Sequence, residues 1–426
     1  MEFDLRRERD EMFRAILKEE LLPAMGCTEP IAIALAAAKA RDVLGQLPKS
    51  VNVEASGSII KNVKSVIVPH TDHMRGIGAA AAVGIVGGKA ENLLNCLAGV
   101  TRQQQDAMVT YLEETPIKTG YINGDKVFDI VVTVRADEHY ATVRIVDYHT
   151  NIVHIEKDGE VLLERPVAET QPTGESERSC LNVDAIWDFI NNSDWTELKP
   201  ILDPMIEYNM AISEEGMKHQ YGANIGKSIL ALYGDNVIFR ARAAAAAGSD
   251  ARMNGCEMPV IINSGSGNQG ITVSVPVITY ARDLKVEDEK LYRALALSNL
   301  IAIHQKTKIG TLSAYCGAIS AGIGAGAGVA YLLGSDLEGV KHTIINAIVS
   351  ASGIICDGAK ASCAAKIAIG VEAGISGYYR HLSGNDFRPG DGIVGKDVEA
   401  TISNVGDLAS IGMKSTNDTI IDIMTR

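Results

Sequence analysis

From Val51 to about Arg165 the chain repeatedly changes between apolar and polar at alternate positions. The runs FDIVVTVRAD, YATVRIVDYHT and NIVHIEKDGEVLLE carry this period of two, which puts one set of side chains in a core and the other toward water. Asp-Glu-His and Lys-Asp-Gly turns between the runs predict an antiparallel meander. Upstream, VNVEASGSII and VKSVIVP are also strand-like, and GIGAAAAVGIVG and AENLLNCLAGV interrupt them as helices. From about Asp10 to Leu47 the pattern is helical, broken near LLPAMGCTEP by Pro23, Gly26 and Pro30. Thr28 can cap the helix that follows, Glu29 favours its positive end and Pro30 is tolerated in its first turn. Cys27 therefore sits just outside a helix amino terminus.

The segment ERPVAETQPTGESERS lacks an apolar period and predicts a linker. Beyond it the chain is helical in character, rich in Ala and Gly, except for a strand-like run around Val260 to Val277. The organisation expected is α+β: an amino-terminal helical segment (1–48) packing on the helical domain, a small α+β domain with antiparallel strands (49–165), a linker (166–181), and a larger, mostly α-helical domain (182–426).

Composition narrows the function. Among 426 residues, 46% are hydrophobic and 22% charged, which is ordinary for globular protein, while 41 glycines point to closely approaching helices. A formal net charge of -13 disfavours nucleic acid and anionic membrane surfaces as partners and leaves a small molecule. The charged start MEFDLRRERDEMFR is not a secretory signal, so a cytoplasmic location is expected. Cys316 to Gly334 runs 19 residues without a charge, but its glycine content fits a buried helix better than a membrane span. A large glycine-rich helical face would also suit a homodimer.

Seven cysteines without an export signal imply reduced thiols and direct attention to metal or thiol chemistry. Cys316, Cys356 and Cys363 share the helical half, separated by 40 and 7 residues. On one helix, positions seven apart stand about 10 Å apart along the axis, long for one small site. Gly353 and Gly358 allow Cys356 to sit on a loop leading into a helix that bears Cys363. Core filling and a four-ligand zinc site remain open for these thiols. A second motif, NSGSGNQG, follows the strand-like MPVII; its small residues let backbone N–H groups converge on an anion such as a substrate carboxylate, at Ser264, Gly265, Ser266, Gly267, Asn268 and Gln269. The same string is similar to the Ser-Gly-Asn loop of pyridoxal-phosphate dehydratases, yet no lysine occurs between Lys227 and Lys285 to form the Schiff base such enzymes need. Walker, GxSxG and HExxH motifs are absent.

The strings MGCTEPIAIALAAAKA, SGSGNQGI, LSAYCGAISAGIGAGAG and GIICDGAKASCAAK, in this order, resemble the iron–sulfur L-cysteine desulfidase family, which is related to the alpha chain of iron–sulfur L-serine dehydratases. The resemblance implies a 4Fe-4S cluster held by three cysteines with one iron open, and carries that role to Cys316, Cys356 and Cys363. Serine dehydratases space the last two ligands more widely than seven residues, which makes Cys27 a competitor for the place of Cys363. It implies a lyase that converts L-cysteine to pyruvate, ammonia and sulfide by β-elimination, the open iron easing departure of the leaving group. Cys27 is the expected base, as a thiolate favoured by the helix terminus. SGSIIKNVKSVIVPHTD resembles the polar run near the serine dehydratase site and adds Lys61 and His70 as catalytic candidates and Ser58 and Asn62 as substrate contacts. An L-serine deaminase and a non-catalytic, cluster- or zinc-bearing amino-acid sensor are the competing readings.

Overall fold

The computed structural model of the chain describes residues 2–124, 126–167, 178–310 and 313–425. Its first half contains α1 (Glu2–Glu20), a short β1 (Pro23–Met25), α2 (Thr28–Leu44), β2 (Ser50–Ser56), α3 (Gly57–Val63), α4 (Gly76–Gly87) and α5 (Arg102–Glu114). The strands β3 (Ile117–Ile122), β4 (Asp129–Ala136), β5 (His139–Val146), β6 (Ile152–Lys157) and β7 (Glu160–Glu164) complete it. The six-stranded sheet has the order β3-β2-β4-β5-β6-β7, with β2 parallel to β3 and the other pairs antiparallel. The meander expected from the alternating runs is therefore present. Ile130, Val132 and Val134 of β4 and Ala141, Val143 and Ile145 of β5 are fully buried in one core with the alanine-rich α2 and α4. A Cβ added at Gly84 of α4 would lie 2.3 Å from the Ala34 carbonyl oxygen, so these two helices pack backbone to backbone over the sheet.

Four expected elements differ. In the strand-like run around Val260 to Val277 only Pro259–Ile261 is strand, while Gly267–Leu284 is an α-helix buried at every position from Gly267 to Ile278, which leaves an apolar run without a helical period. The strand read into VNVEASGSII stops at Ser56, where α3 begins, and VKSVIVP forms only an isolated bridge between Ile67 and Arg75. Val66 and Val68 are buried, so their pattern recorded packing rather than pairing. AENLLNCLAGV supplies a 3-10 turn at Ala90–Asn95 instead of an α-helix.

The second half comprises α6 (Val183–Asn192), α7 (Lys199–Lys218), α8 (Ile225–Tyr233), α9 (Val237–Met253), β8 (Pro259–Ile261), α10 (Gly267–Leu284), α11 (Asp288–Ile309), α12 (Gly317–Leu332), α13 (Leu337–Ala351), α14 (Cys363–Leu382), α15 (Val398–Asp407) and α16 (Lys414–Thr425). The protein is thus an α+β molecule with a large helical part. The uncharged α12 is buried from Ala318 to Ala330, and no helix of the described residues is long and apolar enough to cross a membrane.

The segment 1–48 does not pack as one unit. Phe13, Ile16 and Leu17 of α1 join the core of the helical half, and β1 pairs with β8 (Ala24 opposite Val260). α2, by contrast, belongs to the core of the sheet. The chain passes from one core to the other at Gly26 and Cys27, because α2 is alanine-rich on every side and fits between sheet and α4. Of the expected linker 166–181, residues 168–177 lie outside the described residues.

Candidate active site

The passage between the two cores is where the chemistry gathers. A cavity of about 110 Å³ is lined by Cys27, Thr28 and Glu29 from the start of α2, Asn62 from α3, His149 from the turn between β5 and β6, and Arg252 from the end of α9. The loop Ser264–Ser266 with Asn268 and Gln269, then Lys306, Cys316, Cys356 and Cys363, close it. The small volume, below the roughly 300–1,000 Å³ of ordinary ligand pockets, suits a molecule of few heavy atoms.

The three cysteines arrive from different elements. Cys316 is the residue before α12 and Cys363 the first residue of α14. Cys356 lies on the loop between α13 and α14, bound to the strand-like Ala314–Cys316 by Cys356 N–H to Ala314 O (2.6 Å) and Cys316 N–H to Ile354 O (3.1 Å). The loop anticipated from its glycines exists. Gly358, at φ 93°, turns it against α3, where a Cβ would meet the Lys61 carbonyl oxygen at 2.2 Å.

The hydrogen bond from the Cys316 thiol lowers the Cys356 pKa against the cost of burial, helped by Lys61, the Gly358 N–H and Lys306. Cys316, its donor, is raised by the same bond and by burial. The pair thus favours the thiolate form at Cys356, and thiolates are what metals bind. Burial lowers the Lys306 pKa to about 8 beside this pair, and also lowers that of Lys61, whose Nζ donates to Asn417 Oδ1 (2.6 Å) and the Cys356 carbonyl (3.3 Å). Two lysines thus offset charge on the thiol triad. Among the described residues the one set of three His, Cys, Asp or Glu donors lying mutually within 4.8 Å is elsewhere, so the cysteine triad is more open than a single-ion site. That spread, with all three thiols facing one cavity, fits a polynuclear cluster better than one zinc ion.

The side of the cavity facing the thiols is polar, lined by Ser264, Ser266, Asn268, Gln269 and Arg252. Ser266 precedes α10, whose first turn begins at Gly267, and Ser266, Asn268 and Gln269 put this helix amino terminus, with its unpaired backbone N–H groups, on the cavity wall. The Arg252 guanidinium is buried against this turn, its Nη1 donating to Asn268 Oδ1 (3.1 Å) and its Nη2 to the Gly26 carbonyl (2.6 Å). Arg252 Nε, Gln269 Oε1, Asn62 Oδ1 and His149 Nε2 are buried without a hydrogen-bond partner among the described residues. Four such atoms around one cavity call for a polar ligand.

Cys27 is in the cavity but not in the state expected. Burial, together with the Glu29 carboxylate, pushes its thiol well above the ordinary value, and its Sγ–H donates to Glu29 Oε2 at 2.9 Å. The helix terminus cannot outweigh a carboxylate two residues away, so Cys27 is a neutral thiol rather than a thiolate. Glu29 also accepts from Asn62 Nδ2 at 3.1 Å. His70 is turned away, its backbone N–H and ring held by Glu257 at 2.8 and 3.3 Å. Lys61 supports the Cys356 loop from behind without lining the cavity, and Ser58 lines a second cavity of about 370 Å³. Gly267 abuts Arg252, where a Cβ would come within 2.4 Å of Nε.

His149, Arg252 and Lys306 were not among the residues singled out from sequence. Burial lowers the His149 pKa, opposed by Glu29, so a neutral imidazole faces the cavity at pH 7. A buried arginine closing the alanine run of α9 is the one signal that could have been noticed.

The chain thus combines a mixed α+β fold with one small cavity in which three cysteines of the helical half face Arg252 and the start of α10. The chain belongs to the serine dehydratase alpha chain family, which matches residues 91–422. It is 53% identical to a UPF0597 protein of Desulfitobacterium hafniense over 96% of this chain and 95% of that one. UPF0597 proteins of Lachnoclostridium phytofermentans (51%; 96% and 98% of the two chains) and Treponema denticola (44%; 99% of each) are similarly related.

Proposed function

We propose that the protein is an iron–sulfur lyase that removes the β-substituent of a small L-amino acid, with L-cysteine as substrate and pyruvate, ammonia and sulfide as products. The observation that carries this reading is the meeting of Cys316, Cys356 and Cys363 with the Arg252 and α10 cradle across one small cavity. Those three cysteines would hold a 4Fe-4S cluster, which when bound supplies a Lewis acid for the leaving group.

The chain's own residues account for the rest. Arg252 Nε and the first N–H groups of α10 bind the substrate carboxylate, with Asn268 oriented by Arg252. His149 Nε2, neutral and unpartnered among the described residues, takes the proton from Cα. The Cα–H electron pair becomes the Cα=Cβ bond, and the Cβ–S bond breaks with its electrons leaving on sulfur. Lys306, close to its proton-transfer range, can protonate the departing sulfide. The aminoacrylate then tautomerises to an imine that water hydrolyses to pyruvate and ammonia. Cys27, held neutral against Glu29, serves as a hydrogen-bonding wall instead of the base.

An L-serine reading is favoured by the family match itself. Anaerobically reconstituted protein should release pyruvate and sulfide in equal amounts from L-cysteine, at a kcat/KM above that for L-serine. A higher kcat/KM for L-serine would transfer the assignment to serine, and no product from either would overturn the lyase.

A further inference from the structure

At the far end of α14 from Cys363, His381 lies in the last turn, about 27 Å along the helix axis from that cysteine. Its ring stacks on His342 of α13, centroids 5.1 Å apart and planes 7° from parallel. Both rings direct Nδ1 at one oxygen of Asp386, which follows α14: His381 at 2.9 Å and His342 at 3.5 Å. The three donor atoms lie within 4.8 Å of one another.

His381 makes a proper hydrogen bond to that oxygen, but His342 does not. Its Nδ1 is sealed from water and has no hydrogen-bond partner among the described residues. If Nδ1 carries a proton, a buried donor goes unsatisfied; if it does not, a lone pair faces a carboxylate oxygen. Either state is unfavourable, and a cation between the three atoms would relieve both. The carboxylate is also oriented from behind, since Asn346 Nδ2 donates to Asp386 Oδ1 at 2.8 Å while Asn346 Oδ1 accepts from the Phe387 N–H at 3.0 Å. Such outer hydrogen bonds are typical of ligands held ready for a metal.

We propose that His342, His381 and Asp386 bind a divalent cation of the zinc class, joining α13 to the carboxy-terminal end of α14. Two imidazoles and a carboxylate suit zinc, and three protein donors leave a fourth position for water or an added ligand. This site is independent of the cysteine triad and of the lyase reading.

Cobalt(II) is the visible probe, with zinc counted by elemental analysis after equilibrium dialysis of iron-reconstituted protein. Wild type should hold one zinc per chain more than His342→Gln. Its cobalt should give ligand-field bands without thiolate charge transfer, and Cys356→Ser should keep that signal. Should His342→Gln fail to fold by circular dichroism, Asp386→Asn, which keeps an acceptor for Asn346, is read in the same way. Equal zinc in wild type and the folded variant, or cobalt bound only with thiolate charge transfer, would overturn the site.

Discussion

Replacing Gly322 by alanine tests how the fold sets the spacing of the cysteines. Cys316 precedes α12 and Cys363 begins α14, and these helices touch through glycines. A Cβ at Gly322 would stand 2.2 Å from the Gly370 carbonyl carbon, whereas ordinary contact begins near 3.4 Å, so the helices must part by about 1.2 Å. The obstacle is backbone, which cannot rotate away as a side chain could. Overpacking of this kind costs about 1–3 kcal/mol, and a backbone clash belongs at the upper end. The loss should be read from the urea midpoint, and iron per chain after reconstitution should fall with it, since one thiol is displaced from the others. Gly78→Ala is the control: nothing lies within 4 Å of its Cβ position, and the same change in an open helix position should stabilise by about 0.5–1 kcal/mol. A Gly322→Ala protein with wild-type stability and full iron content would refute the claim that this glycine contact sets the triad.

Three further outcomes are expected. Arg252→Lys keeps the charge but loses the fork that reaches Gly26, Asn268 and the cavity; a missing charge-assisted bond of about 1.5–3 kcal/mol should raise KM roughly 10–100-fold with less change in kcat, and an unchanged KM would remove Arg252 from the carboxylate site. His149→Gln should lower kcat by about 10²–10⁴-fold and abolish exchange of the Cα proton with solvent. Because burial lowers the folded His149 pKa below its ordinary 6.5, the base stays neutral at pH 7. The acid limb of kcat/KM should lie below 6.5, and the His149 contribution to stability should weaken as pH falls through 6.5, where the unfolded chain gains the proton first. Asp250, with its carboxyl raised from 3.8 to about 6 by burial, costs stability that grows as pH rises through that interval, so Asp250→Asn should stabilise by up to about 3 kcal/mol at pH 8 and by little at pH 4; equal effects at both would contradict this.

The meander was legible because strands with one buried face must alternate, and the turns between them are written in Asp, Gly and Lys. The cysteine loop was legible for a similar local reason: Gly353 and Gly358 both take positive φ, at 109° and 93°. What sequence could not reveal is what meets across the two cores. Cys27 does precede a helix, but its protonation depends on Glu29 folding back in a site sealed from water. His149 sits in a strand turn resembling any other, and becomes notable only where the Ser264–Ser266 loop of the other core faces it. His70 lay in the polar run that resembled an active-site segment, yet Glu257, 187 residues onward, draws it aside. The VKSVIVP run misled because burial and strand pairing leave the same β-branched trace.

Replacing Cys316, Cys356 and Cys363 each with serine decides whether the three together hold a cluster needed for elimination. Iron, acid-labile sulfide and pyruvate release from L-cysteine would be measured on all three variants under anaerobic reconstitution. Every variant should lose both the cluster and turnover while remaining folded. A variant that keeps full iron and sulfide content with wild-type pyruvate release would contradict it.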